Sequence, residues 1–104
     1  MNEKRKEISL LFDFYSSLLS PRQRDVLDLY YNDDLSLSEI AEDLGITRQG
    51  VRNAILTGEK LLFKLESSLG NARRESEIRA CAERILALSQ SEEINREAQK
   101  LLNY

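Results

Sequence analysis

The stretch from Leu35 to Leu56, LSLSEIAEDLGITRQGVRNAIL, leaves this chain little conformational freedom. Ser36 followed by Glu39 is a capping box: the hydroxyl accepts an N–H of the first turn, and the carboxylate reaches back to the N–H of Ser36 itself. A helix is therefore expected to begin at Leu37. Leu37, Ile40, Ala41 and Leu44 recur at i, i+3, i+4 and i+7, one face of a 3.6-residue period, and that face is expected to be buried. Gly45 stands where a helix ends in a left-handed residue, a conformation that costs glycine little. Ile46 then fills the angle, and Thr47 offers a hydroxyl to cap a second helix through Arg48, Gln49, Gly50 and Val51. Two short helices about a glycine turn are the helix-turn-helix layout, whose second helix is the one offered to a major groove. Val51 and Ile55 are its inward residues.

Its outward residues are Arg48, Gln49, Arg52 and Asn53, with the two arginines four apart and stacked on one face. Arginine forks bidentately onto guanine, and glutamine or asparagine onto adenine, so these side chains suit the edges of bases. They are also ordinary solvent-facing residues of a helix, and helix pairs with a glycine turn occur in proteins that bind no nucleic acid.

Charge argues in the other direction. Net charge is −3, and residues 20–70 hold six Lys and Arg against nine acids, while the segments on either side are balanced. A duplex binder displaces counterions with clustered cations, so non-specific affinity is expected to be weak unless the few arginines converge on one surface. Histidine is absent and Cys81 is the single cysteine. The commonest general base is missing and no Cys/His metal site can be assembled, so neither an enzyme nor a cofactor is expected. Cys81, beside Ala82, is expected to be a buried and inert thiol. No run approaches the length of a membrane span, and the start MNEKRKEISLL lacks the pattern of a signal peptide, so a cytoplasmic protein is expected.

Taken in order, Ile8, Leu11, Phe12, Tyr15, Leu18 and Leu19 predict a helix over about residues 4–18, with Leu10 and Phe14 off its stripe. Ser20-Pro21 is a helix start, since the serine caps and the proline suits the first position. That helix is expected to run to about Tyr31 with Val26, Leu29 and Tyr30 inward and with Arg22 and Arg24 in its first turn. Those cations sit at the end the macrodipole makes unfavourable for them, which suits a nearby anion or a solvated pairing with Asp25 and Asp28.

Beyond the helix-turn-helix, Val51, Ile55, Leu62, Leu65 and Leu69 continue one stripe to Gly70, predicting a helix of about 22 residues. Gly58 within it marks a bend or a close backbone approach, and Leu61 and Phe63 fall off the stripe. Asn71 is expected to cap a helix with Ile78, Cys81, Ala82, Ile85 and Leu88 on one face, and Ser91 to start a last helix with Ile94, Ala98, Leu101 and Leu102. The fold expected is all-α: a helix-turn-helix domain over residues 1–70, without a wing, and an accessory helical hairpin over 71–104. The surplus of apolar faces predicts a homodimer, with the first helix and the hairpin contributing.

The segment SPRQRDVLDLYYNDDLSLSEIAEDLGITRQGVRNAI resembles the fourth region of bacterial sigma factors, in which a capped helix precedes an E-I-A-x-x-L-G-x-[ST] helix-turn-helix. With LFDFYSSLL included, residues 11–57 resemble the YlxM-like proteins, small bacterial helix-turn-helix proteins whose genes usually neighbour that of the signal recognition particle GTPase. The resemblance implies an all-helical fold and a regulatory role in the signal recognition particle pathway. It also implies a recognition helix of Thr47, Arg48, Gln49, Val51, Arg52 and Asn53, supported by Arg22 and Arg24. Three functions stay open at this point. One is a regulator contacting the RNA or the GTPase of the signal recognition particle. The others are a dimeric transcription factor reading DNA and an adaptor that binds only protein.

Overall fold

The computed structural model describes residues 2–104, which form six α-helices: α1 (Glu3–Tyr15), α2 (Pro21–Leu27), α3 (Leu37–Leu44), α4 (Arg48–Leu69), α5 (Asn71–Leu88) and α6 (Glu92–Leu102). No strand occurs among the described residues, so the fold is all-α. The chain divides into two compact units at the junction of Leu69 and Gly70.

In the first unit α4 is the spine against which α1, α2 and α3 pack. The helices start where local chemistry dictates. Asn2 accepts the N–H of Arg5 at the head of α1, and Ser20 and Ser36 each close a complete capping box, with Gln23 and Glu39 as partners. Gly45 ends α3 at φ 67°, the left-handed value expected of it. The core is built from large side chains: Tyr15, Ile8, Leu27, Ile40, Leu62, Val26 and Val51 are fully buried. Leu44 and Leu37, expected to be buried throughout, are half-buried, because they stand at the two ends of a helix of only eight residues.

Two elements change pitch where a uniform helix was expected. After Tyr15 the chain tightens into a 3₁₀ turn over Ser16–Leu18. After Leu27 it widens into a π-helical turn over Asp28–Asn32, closed by the Asp33 N–H donating to the carbonyl of Asp28 at 3.2 Å. The wider turn shifts the register of the side chains after Leu27. Leu27 rather than Leu29 joins Val26 in the core, and Leu29, Tyr30 and Tyr31 are left half-buried. Gly58 is what admits Leu27: a β-carbon on Gly58 would stand 2.7 Å from Leu27 Cδ1. The glycine in α4 therefore marks a close approach of helices rather than a bend.

The second unit is the antiparallel pair α5 and α6. Gly70 in the left-handed conformation, not Asn71, is the cap of α5, and Asn71 is its first residue. Ser91 caps α6 by accepting the N–H of Ile94. The buried residues of this unit are Ala72, Ala82 and Ala98. Ile78 and Leu88, expected inward, are exposed, and so is Cys81. One residue along a helix is about 100° of rotation, so the face on which Ala82 is buried carries its sequence neighbour Cys81 outward.

Candidate nucleic-acid interface

The outer face of α4 presents two parallel rows at i, i+4 spacing. One is Arg48 and Arg52; the other is Gln49 and Asn53, joined by the Gln49 amide donating to Asn53 Oδ1 at 3.1 Å. All four are exposed. No salt bridge or side-chain hydrogen bond engages Arg48 or Arg52 among the described residues, so both guanidinium groups keep their donors for an outside acceptor. Thr47 is exposed, and its hydroxyl is used locally, accepting the N–H of Gly50 at 3.0 Å as the cap that starts α4. Leu37, Arg48, Gln49 and Arg52 together line a shallow cleft of about 200 Å³ where the beginning of α3 meets α4.

Arg22 and Arg24 stand apart from this group. Arg22 is exposed and Arg24 half-buried on α2, and neither lines the clefts beside α4. α2 instead meets α4 through Leu27 at Gly58 and through Gln23, whose side-chain amide donates to Thr57 Oγ1 at 3.3 Å.

A second cleft, of about 350 Å³, adjoins the first and shares Leu37 and Arg52 with it. Its far wall is the start of α1. There Arg5 lies over the rings of Tyr30 and Tyr31, 5.4 and 4.9 Å from their centroids, and donates to the carbonyl of Tyr30 and to Asp34 Oδ1, both at 3.2 Å. Asp34 is in the left-handed conformation at φ 57°, which short polar side chains tolerate. In its floor Glu59 is buried and accepts the hydroxyl of Tyr31. Burial first, and then that hydrogen bond to a carboxylate, push the Tyr31 phenol well above its ordinary value, so it remains a neutral donor. Lys4 closes the rim with its ammonium 3.7 Å from Glu59 Oε1.

Sequence reasoning missed this polar cluster, although Glu59 carried a signal for it. It falls four residues after Ile55 and three before Leu62, so a carboxylate occupies an inward position of the stripe and requires a buried partner. A second such pair lies further along α4, where the Tyr15 hydroxyl donates to Glu66 Oε1 at 2.6 Å.

Comparison with known proteins agrees with this geometry. A sequence family described as "Putative helix-turn-helix protein, YlxM / p13 like" matches residues 2–102. The chain belongs to this family, UPF0122. Among its relatives, a UPF0122 protein of Bacillus mycoides is 40% identical over 103 residues, covering 98% of this chain and 94% of the relative. One from Geobacillus kaustophilus is 42% identical over 85 residues, covering 82% and 77%. One from Acetivibrio thermocellus is 52% identical over 68 residues, 65% of this chain and 58% of that protein. The YlxM-like resemblance seen in residues 11–57 thus extends over nearly all of this UPF0122 chain. No helix among the described residues is long and apolar enough to cross a membrane.

Proposed function

We propose that this UPF0122 protein is a regulatory protein that binds a nucleic-acid duplex through the start of α4. Arg48, Gln49 and Asn53 approach base edges and Arg52 the adjoining backbone, and the cap at Thr47 holds that end of the helix in register. The observation that carries this reading is the pair Arg48 and Arg52, exposed, stacked and without partners on the one helix a helix-turn-helix offers to a groove. Arg22 and Arg24 are proposed to act on flanking phosphates rather than on bases, since they belong to a different helix. The regulatory setting proposed is the signal recognition particle pathway, with its RNA or its GTPase as partner; what supports this is the resemblance of sequence.

We also infer that two copies pair, and the exposed apolar side chains of the hairpin favour it. Ile78, Ile94 and Leu101 are 42%, 51% and 44% exposed, and they line two apolar grooves on the α5 and α6 pair, with Leu101 in both. Pairing of helix-turn-helix proteins sets two recognition helices about 34 Å apart, one turn of duplex.

The experiment is recovery of the protein from bacterial lysate with sequencing of bound nucleic acid and identification of bound proteins. Enrichment of one RNA or one DNA site, lost in an Arg48→Ala, Arg52→Ala double variant, is the expected result. Recovery of proteins alone, unchanged in that variant, would replace this reading with a protein adaptor.

A further inference from the structure

We propose that the cleft between the start of α1 and α4 is a phosphate site for the backbone of the bound duplex, with Lys4 and Arg52 as its cationic ligands. The inference rests on the reading of α4 as the helix that meets nucleic acid. Its starting point is the adjacency of the two clefts: Leu37 and Arg52 line both, so Arg52 faces the cleft of Arg48 and Gln49 on one side and that of Lys4 on the other. A strand whose bases meet Gln49 and Asn53 has its phosphates alongside, and the cleft of Lys4 and Arg52 is the neighbouring one.

The charges along this cleft differ in availability. Arg5 is committed, held by two aromatic faces, a carbonyl and Asp34, and it fixes the start of α1 to the π-helical turn. Lys4 is the next residue, so anchoring Arg5 sets Lys4 at the rim. Its own contact is weak: at 3.7 Å, on a side chain 69% exposed, an ion pair is screened and easily exchanged. Glu59 is the one charge that opposes an anion here, and the Tyr31 hydroxyl takes up part of its accepting capacity. The start of α3, otherwise suited to an anion, is closed by its own Ser36 and Glu39 capping box. Side-chain cations must therefore do the work: among those lining the cleft, Arg52 has no ion pair with any described residue and Lys4 is held by its 3.7 Å contact to Glu59 alone.

This also meets the objection raised by composition. The segment 20–70 that holds the helix-turn-helix is short of cations, and the fold brings one in from a segment 48 residues away in sequence, Lys4 to Arg52. Contacts to phosphate position a protein without reading sequence, so the site predicts affinity that is independent of sequence and sensitive to salt.

The test is titration of the full chain with labelled duplexes of scrambled sequence, DNA in one arm and RNA in the other, between about 50 and 200 mM salt. Lys4→Gln is expected to reduce the slope of log K against log salt by about one unit and to weaken every duplex alike. Lys6→Gln, on an exposed side chain outside the cleft, is expected to leave the slope unchanged. Glu59→Gln keeps an acceptor for Tyr31 and releases Lys4, so it is expected to tighten binding. A Lys4→Gln slope equal to wild type, with binding still lost in the Arg48→Ala, Arg52→Ala variant, would overturn the phosphate site alone. Failure of the wild-type chain to bind either scrambled duplex at about 50 mM salt would overturn the phosphate site, whereas the function it rests on is overturned by the lysate recovery yielding proteins alone.

Discussion

The two units bury different things. Residues up to Leu69 enclose Tyr15, Ile8, Leu27, Ile40, Leu62, Val26 and Val51, whereas the buried side chains of the α5 and α6 hairpin are alanines, with Ile78, Leu88, Ile94 and Leu101 left exposed. A core of large interlocked side chains holds helices at fixed angles, because each removed methylene leaves a cavity. A seam of alanines brings two helices close but removes little apolar area from water. The first unit is thus suited to hold α4 rigidly, and the second leaves apolar side chains uncovered.

The sharpest way to break this contrast is to empty the first core. Ile40→Ala or Leu62→Ala is expected to cost about 2–5 kcal/mol, the range for a large buried aliphatic residue, measured by denaturant unfolding. A loss below about 1 kcal/mol would mean that the helices are not interlocked as described.

Overfilling is expected to cost less. Gly58→Ala sets a methyl against the fully buried Leu27, and overpacking of about 1–3 kcal/mol is partly offset by a gain of about 1 kcal/mol in helix propensity. A variant more stable than wild type would show that Leu27 has room to retreat.

For the hairpin, Ile94→Ser with Leu101→Ser is expected to change the stability of a single chain by no more than about 0.5 kcal/mol per site, as at other exposed positions. The same pair is expected to shift sedimentation equilibrium from dimer to monomer. A large loss of stability in the monomer would make these residues part of the hairpin's own core.

The smallest expected effect concerns acid. Glu39 is held below its ordinary carboxylate value of 4.5, first by the backbone N–H of Ser36 and then by its hydroxyl. The native state then binds that proton less readily than the unfolded chain. The contribution is present above about pH 4.5 and is lost as pH falls through the depressed value. Between about pH 5 and 3 the melting temperature of wild type is therefore expected to fall more than that of Glu39→Gln, which keeps an acceptor but does not titrate. The cap of α6 has Ile94 where α3 has Glu39, so it contributes no such term. Parallel acid profiles for wild type and Glu39→Gln would remove the capping box from the account.

What the sequence made legible follows the same division. The helix-turn-helix could be read almost residue by residue, because Ser36, Glu39, Gly45 and Thr47 act on backbone groups within three or four positions of themselves. The length of α4 was legible from periodicity, while Gly58 left a bend and a close approach both open until Leu27 was placed against it. The π-helical turn was not, since nothing in DLYYN departs from a helical pattern, and it leaves Leu29 half-buried. The inward face of α5 was misread at Ile78, Cys81 and Leu88 because two apolar stripes compete there, and only packing against α6 chooses between them. Of the proposed site, the arginines of α4 were visible in sequence. Lys4, Arg5 and Tyr31 were not, because their assembly around Glu59 joins residues as far apart as α1 and α4.

Everything proposed for this protein depends on the exposed face of α4 meeting nucleic acid. The most direct measurement is an anisotropy titration of the enriched duplex at about 100 mM salt, where specific binders are nanomolar or tighter. Wild type is compared with Arg48→Ala, Arg52→Ala and the double variant. Arg48→Ala is expected to weaken binding by about 1–3 kcal/mol through loss of a bidentate base contact, Arg52→Ala to reduce the salt slope by about one unit through loss of a phosphate contact, and the double variant to retain only weak binding that salt abolishes. Wild-type affinity in the double variant, with its fold intact by circular dichroism, would contradict the claim.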